Sequence, residues 1–336
     1  MTAKSVFRCA IVSGIFCGMF LWGCEKQAQT GPTAAESSGM AKIALKPTIG
    51  EQATYKIMTQ ARRTTKWQGP VPDKATFDDN FNEELVEMVF TQQIQDVAPD
   101  GGVAVAKITI DGLKCLYSSK DSVSVDFDSS RKADAKNPLM KLIGQTYMLE
   151  FNASNYITAM DAFPPVLKDI NDGTPSGQAA RGIMLSEVVK ERHGVFQLPP
   201  QGQEMLKQGD KWSKIRTFPF GKMGLKSYEK IYTLENVRDT GGRRIAVVDM
   251  NAIPTSEVEP KYLSMQAELG VPKMFDTNDS FTGSGEIDLK TGRIENYHEN
   301  FRTSWFVALP SKQNDTGEPV VLNMSATRVY SIERVK

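Results

Sequence analysis

Ser122-Val123-Ser124-Val125-Asp126-Phe127-Asp128 alternates polar and apolar side chains without a break. A strand turns successive side chains to opposite faces, so Val123, Val125 and Phe127 share one face and the polar residues the other. The same period recurs on both sides of this stretch. Upstream, Val86, Met88, Phe90 and Ile94 alternate, as do Ala104, Ala106, Ile108 and Ile110. Near the C-terminus, Tyr297, Phe301, Trp305, Val307 and Leu309 share one face of a long run. Val320, Leu322, Met324, Ala326, Tyr330 and Ile332 do so in the last run. One apolar face opposite one wet face marks antiparallel sheet. Several runs far exceed the usual strand of about 5–6 residues, and about a dozen strands are expected. Long one-sided strands twist and curl around their apolar face. The expected fold is therefore mainly β, with long curved antiparallel sheets of half-barrel type.

The pattern repeats. Ile49-Gly50-Glu51-Gln52-Ala53-Thr54-Tyr55 parallels Gln208-Gly209-Asp210-Lys211-Trp212: glycine, acid, then an aromatic strand start. Val89-Phe90-Thr91 leads through a strand to Asp96–Gly102, and Ile231-Tyr232-Thr233 leads likewise to Asp239-Thr240-Gly241-Gly242. Leu149–Ile157 and Ile287–Ile294 both set turn formers between two strands. Three matches in one order predict two β units, residues 46–160 and 201–336. Residues 161–200 read as a helical connector. Ala162–Ile170 and Gln178–Arg192 have helical composition, Gly173-Thr174-Pro175-Ser176-Gly177 separates them, and Gly194 ends the second piece. A helix beside a curved sheet can cover its apolar face.

The N-terminus reads as an export signal. Lys4 and Arg8 precede the apolar run Ala10–Trp22, which is too short to span a bilayer. Leu21-Trp22-Gly23-Cys24 resembles the lipobox of bacterial lipoproteins, although Trp22 stands where a small residue is usual. The resemblance implies cleavage after Gly23, acylation of Cys24, a signal peptide at residues 1–23 and a flexible tether at 24–45. Glu25 is not the Asp that holds enterobacterial lipoproteins at the inner membrane, which favours the outer membrane. Without Lys4 and Arg8 the chain has 38 basic and 40 acidic side chains, a net charge of −2. No basic run suggests nucleic acid. Of four cysteines only Cys115 is left for the folded part, so no internal disulfide is expected and Cys115 reads as a buried, inert thiol.

Leu198-Pro199-Pro200, Gly209-Asp210-Lys211-Trp212 and Asp288-Leu289-Lys290-Thr291-Gly292 together resemble a group of uncharacterised β-rich bacterial lipoproteins. These are known only as a domain-of-unknown-function family, with Gly-Asp-x-Trp and Asp-x-x-Thr-Gly strand motifs. The similarity covers nearly all the mature chain, and its motifs are structural. In architecture, a curved sheet with a helix behind a lipid anchor is also similar to envelope lipoproteins that carry lipids or lipoproteins in a half-barrel. Fold alone transfers no active site.

The chemistry-bearing residues form no catalytic constellation. His193 follows Glu191 and Arg192 at a helix end, where a cation suits the helix dipole, and His298 reads as a solvated strand residue. Two separated histidines make no zinc motif, and neither a metal nor a cofactor is expected. No Gly-x-Ser-x-Gly elbow occurs. Asp126-x-Asp128-x-Ser130 begins like a calcium loop, but Arg131 takes the place of the turn glycine and no bidentate Glu closes it. Gly283-Ser284-Gly285 reads as a bend in a curved strand. The aromatics Trp212, Phe281, Phe301 and Trp305 lie on strand faces: either they pack a core or they line an apolar cleft.

The expected function is thus a membrane-anchored envelope lipoprotein, not an enzyme, serving as a binding or scaffold module. Its partners are the membrane, through the N-terminal lipid, and an apolar ligand or another envelope protein. The alternatives are a carrier of lipid in a half-barrel cavity and a hydrolase with an unrecognised site.

Overall fold

The computed structural model describes residues 40–69, 77–99, 102–161, 165–170, 173–264, 276–309 and 320–335. The signal peptide, Cys24 and the tether up to residue 39 lie outside the described residues. Fourteen strands are found among them. The first half holds β1 (Met40–Lys42), β2 (Gln52–Gln68), β3 (Asn80–Val97), β4 (Val103–Ser119), β5 (Ser122–Asp128), β6 (Thr146–Asn152) and β7 (Ile157–Asp161). The second holds β8 (Met205–Lys207), β9 (Lys211–Pro219), β10 (Leu225–Thr240), β11 (Arg243–Thr255), β12 (Asp276–Asp288), β13 (Arg293–Leu309) and β14 (Val320–Arg334).

Twelve strands form one open antiparallel sheet in the order β7-β6-β4-β3-β2-β14-β13-β12-β11-β10-β9, with β5 beside the second half of β4. β1 pairs with β8 separately. The expected alternation holds along most of the sheet; Val123 departs from it, 60% exposed where a bulge interrupts the pairing of β4 with β5. Ile57, Met88, Ile108, Phe127, Tyr297 and Phe301 face inward and are buried. The outer face carries charge in cross-strand register: Glu333, Lys56, Glu87, Lys114 and Asp128 follow one another across five strands at 3.1–3.9 Å.

The sheet is strongly curled. β9 and β13 are four strands apart, about 19 Å in a flat sheet. Yet the rings of Phe218 and Phe301 stack with centroids 4.7 Å apart. Lys230 on β10 reaches Glu299 on β13 at 2.6 Å, three strands away. Apolar burial bends the second half onto itself, because a flat sheet would leave this aromatic face in water.

The two units match in backbone detail. Gly50 N–H donates to Ile94 O and Ile94 N–H to Glu51 O. Gly209 N–H donates to Leu234 O and Leu234 N–H to Asp210 O, all at 2.8–3.0 Å. Gly50 and Gly209 both have positive φ, +81° and +87°, which favours glycine in each turn. A β-bulge follows Ile94 in one unit and Leu234 in the other. A second pair of bulges falls at Glu150/Phe151 and Glu286/Ile287, just before the two matched hairpin turns. β14 ends the second unit and pairs with β2, the first long strand of the first unit, so one sheet runs through both.

Two expectations about local structure need correction. The stretch 178–192 is not one helix. α1 (Pro175–Ile183) starts on Thr174, whose hydroxyl accepts from Gly177 N–H, with Pro175 pre-set in the first turn. The chain breaks at Met184 and Leu185, and α2 (Ser186–His193) follows, with Gly194 as its C-cap. Burying Met184 fully and Ile183 nearly so requires the turn between them and Val189. The stretch 162–170 forms only a 3-10 turn at Pro165–Asp169, with residues 162–164 outside the described set. The tether is also shorter than expected. Residues 40–45 belong to the fold: β1 pairs with β8, and Ile43 is fully buried with its N–H donating to Glu204 O at 2.8 Å.

A candidate binding cavity on the inner face

The connector fills much of the inner face. Phe196 lies flat on Tyr297, centroids 4.3 Å apart and planes within 7°. It can do so because Gly285 stands beneath it: a Cβ there would lie 2.9 Å from both rings. Gly283-Ser284-Gly285 is therefore less a bend than a cleared patch for an incoming aromatic ring. His193 meets the Phe90 ring edge-on at 4.8 Å, and Tyr330 Oη donates to Arg192 O at 2.7 Å.

The four aromatic residues proposed as cleft lining all sit on the inner face, buried and partnered. Trp212 stacks on Tyr232 at 5.3 Å and donates from Nε1 to Gln197 O at 3.0 Å. Phe281, Phe301 and Trp305 pack with Phe218, Phe220 and Tyr228 in one aromatic cluster. Lys226 and Lys230 sit over its rings at 4.7 and 5.5 Å, on Trp305 and Phe281.

Buried charge is the feature that periodicity alone would have placed. Glu299 lies between Tyr297 and Phe301 in the alternation, and Lys230 between Tyr228 and Tyr232, so both point inward. Their ion pair is enclosed by aromatic rings, and Lys230 is only 4% exposed. Tyr297 Oη donates to Glu299 at 2.7 Å and Lys230 Nζ to Val195 O at 3.3 Å, which ties the connector to the sheet. Burial alone would favour the neutral amine, but the adjoining carboxylate keeps Lys230 above the ordinary lysine value.

Arg192 is different. It is 3% exposed, and only Nη2 has a partner, Ile183 O at 3.2 Å. Nε and Nη1 have none among the described residues. The titratable groups acting most on its charge are Tyr147, Tyr117, Tyr330 and Cys115, with no carboxylate among them. The Cys115 thiol is pushed up to about 12, chiefly by burial, so it stays protonated and inert.

A cavity of about 60 Å³ opens at the end of the sheet where β2 begins. Its walls are apolar, with Tyr55, Phe90, Phe151 and Ile157 among them. His193 reaches it from within, and Lys46 and the paired Glu51 and Arg293 stand around it. The strap of residues 43–47 passes between the two matched hairpin turns. Leu45 N–H donates to Ala153 O at 2.9 Å, and Lys46 Nζ to Leu289 O at 2.5 Å. Gly292, with φ +68°, leaves room for the strap, since a Cβ there would lie 2.4 Å from Lys46 N.

His193 corrects the expectation of a helix-end cation. It is 8% exposed and shares a 2.7 Å hydrogen bond between Nε2 and Tyr147 Oη. Burial, then the nearby Arg192 charge, pulls its pKa down to about 3, so the ring is neutral at pH 7. The ring takes up a proton more readily unfolded, near 6.5, than folded. Stability supplied by the neutral ring is therefore present above pH 6.5 and lost as pH falls towards 3. A slope on the order of 1 kcal/mol per pH unit is expected in urea titrations between pH 6 and 4. His193→Phe should flatten the part of that slope due to this ring; an unchanged slope would place its origin elsewhere. His298 is exposed on the outer face. The acidic loop is held by a guanidinium: Arg131 bonds Asp126 and Asp134 at 2.9 and 2.6 Å, while Asp128 accepts from Ser130.

No protein-family model matches the chain, and no curated protein matches it. Similar solved structures are distant. Lipovitellin, a structure of lipid–protein interactions, aligns over 86% of this chain with 13% identity and a TM-score of 0.38. The chain spans 25% of lipovitellin's length. Pseudomonas aeruginosa OpdQ aligns over 86% of this chain and 100% of its own, with 8% identity and a TM-score of 0.22. A DUF1329 family protein from Desulfovibrio piger aligns over 83% of this chain and 85% of its own, with 8% identity and a TM-score of 0.15. None of these similarities carries a function to this chain.

Proposed function

We propose that this chain is a lipid-anchored protein of the bacterial envelope, favouring the outer membrane, whose folded part is a non-catalytic binding or scaffold module. The observation that supports it most is the filling of the sheet's inner face by the connector. The cavity under the strap, about 60 Å³, is far below the roughly 300–1,000 Å³ of drug-sized ligand pockets. A long-chain lipid would have to displace Phe196 and α2. A rigid domain of this kind offers its polar outer face and its rims to partners, while the lipid on Cys24 holds it at the membrane. Among the described residues no helix is long and apolar enough to cross a membrane. The groups able to do chemistry are otherwise engaged: Cys115 is protonated, His193 is neutral and hydrogen-bonded to Tyr147, and Lys230 is ion-paired.

Anchoring has a direct test. Cys24→Ser should move the chain from the membrane to the soluble fraction, with an unchanged circular dichroism spectrum. Retention of that variant in the membrane fraction would exclude Cys24 acylation as the anchor.

A further inference from the structure

We propose that the cavity under the strap binds a small monocarboxylate, with its carboxylate between His193 Nδ1–H and the Lys46 ammonium and its short apolar tail against Phe90 and Phe151. The inference rests on reading the chain as a binding module, and it does not depend on the lipid anchor. Three observations converge: a free donor, the charge of the lining and the volume.

His193 is more than nine-tenths buried and lines the cavity. Tyr147 Oη has no other acceptor among the described residues, so its proton goes to Nε2. In a neutral imidazole the remaining proton then sits on Nδ1, which becomes a donor with no partner among the described residues. That donor is open to the cavity rather than sealed in the core, and a ligand acceptor there would satisfy it.

Charge selects the acceptor. The charged groups lining the cavity are Lys46, Arg293 and Glu51, two cations and one anion, and Glu51 is taken by Arg293. Lys46 has one backbone carbonyl for a partner and is exposed at the strap, with further N–H bonds to give. Behind His193, the buried guanidinium of Arg192 has no carboxylate beside it. The cavity is thus positive at its strap, and a carboxylate fits where a neutral or cationic group does not.

Size selects the rest. At about 10–15 Å³ of such volume per water, 60 Å³ holds on the order of four to six small atoms. That matches a carboxylate with a one- to three-carbon tail, butyrate being the longest, and excludes a fatty acid.

Butyrate is the probe and 1-butanol its uncharged control. With the purified chain labelled with nitrogen-15, butyrate should give a saturable shift of the His193 Nδ1 resonance at pH 7, and 1-butanol none at equal concentration. Lys46→Met, at an exposed position whose strap keeps its backbone bond from Leu45 to Ala153, should weaken butyrate binding at least tenfold. His193→Phe should abolish it. If His193→Phe does not fold, Lys46→Met and the butanol control decide alone. An unmoved Nδ1 resonance, an equal response to 1-butanol, or full binding by Lys46→Met would overturn the proposal. None of these results bears on whether long-chain lipids are excluded, so the module reading is tested separately.

Discussion

Glu299→Ala should destabilise the domain by roughly 3–5 kcal/mol, the range for removing one partner of a buried ion pair. The loss follows from what remains. Lys230 would stay enclosed by Tyr232, Phe281 and Tyr297 with Val195 O and the Tyr232 hydroxyl left as neutral acceptors, and Tyr297 Oη would lose its carboxylate acceptor. Against a total of about 5–15 kcal/mol for an ordinary domain this is a large fraction. The urea midpoint should fall with little change in slope. The double variant Lys230→Met with Glu299→Leu should regain most of the loss, because an apolar pair of similar volume removes the desolvation cost along with the attraction. A single variant within 1 kcal/mol of the parent would mean that water reaches the pair.

Gly285→Val should lower stability by at least about 1–3 kcal/mol, the range for overpacking a filled core. It should also loosen the connector in particular. Its first carbon already lies 2.9 Å from Phe196 and from Tyr297, two rings stacked on each other with no room to part. Phe196 must leave the sheet, and with it the segment that carries Val195 and Gln197, the acceptors of Lys230 and Trp212. Proteases should then cut within 185–200 in the folded variant and not in the parent. Gly182→Ala is the matched control: it lies in α1, nothing stands within 4 Å of its added carbon, and helix propensity favours alanine by about 1 kcal/mol. Equal behaviour of the two variants would mean that Phe196 does not hold the connector.

Much of this architecture is legible in the chain because period 2 is a strict signal. A one-residue slip would turn Phe90, Ile108 and Tyr297 to water, so their register is fixed wherever one face is buried. The repeat is legible for a related reason: Gly50 and Gly209 both stand at positive φ, and few other residues serve there. The same alternation also points Lys230 and Glu299 inward, although composition argues that charges belong outside. They are retained because partners from distant strands meet them, and such meetings depend on the curl of the sheet. The cavity is legible only in part. His193 is ordinary in sequence, and only the packing of α2 against β7, Phe90 and Tyr147 buries and neutralises it. The strap was hidden for the opposite reason. Residues 40–47 look like the small, polar tether before them, and only tertiary pairing with β8 and the two hairpin turns orders them.

On the proposed reading the connector makes the inner face of the half-barrel a packed core, closed to long-chain lipids. Native mass spectrometry of the Cys24→Ser chain, purified without detergent and then mixed with oleate or phospholipid, tests it most directly. The expected spectrum shows the polypeptide mass alone before and after mixing, with tryptophan emission from Trp212 and Trp305 unchanged. A stoichiometric lipid adduct accompanied by a shift in that emission would contradict it, and would mean that Phe196 and α2 yield the inner face to a ligand.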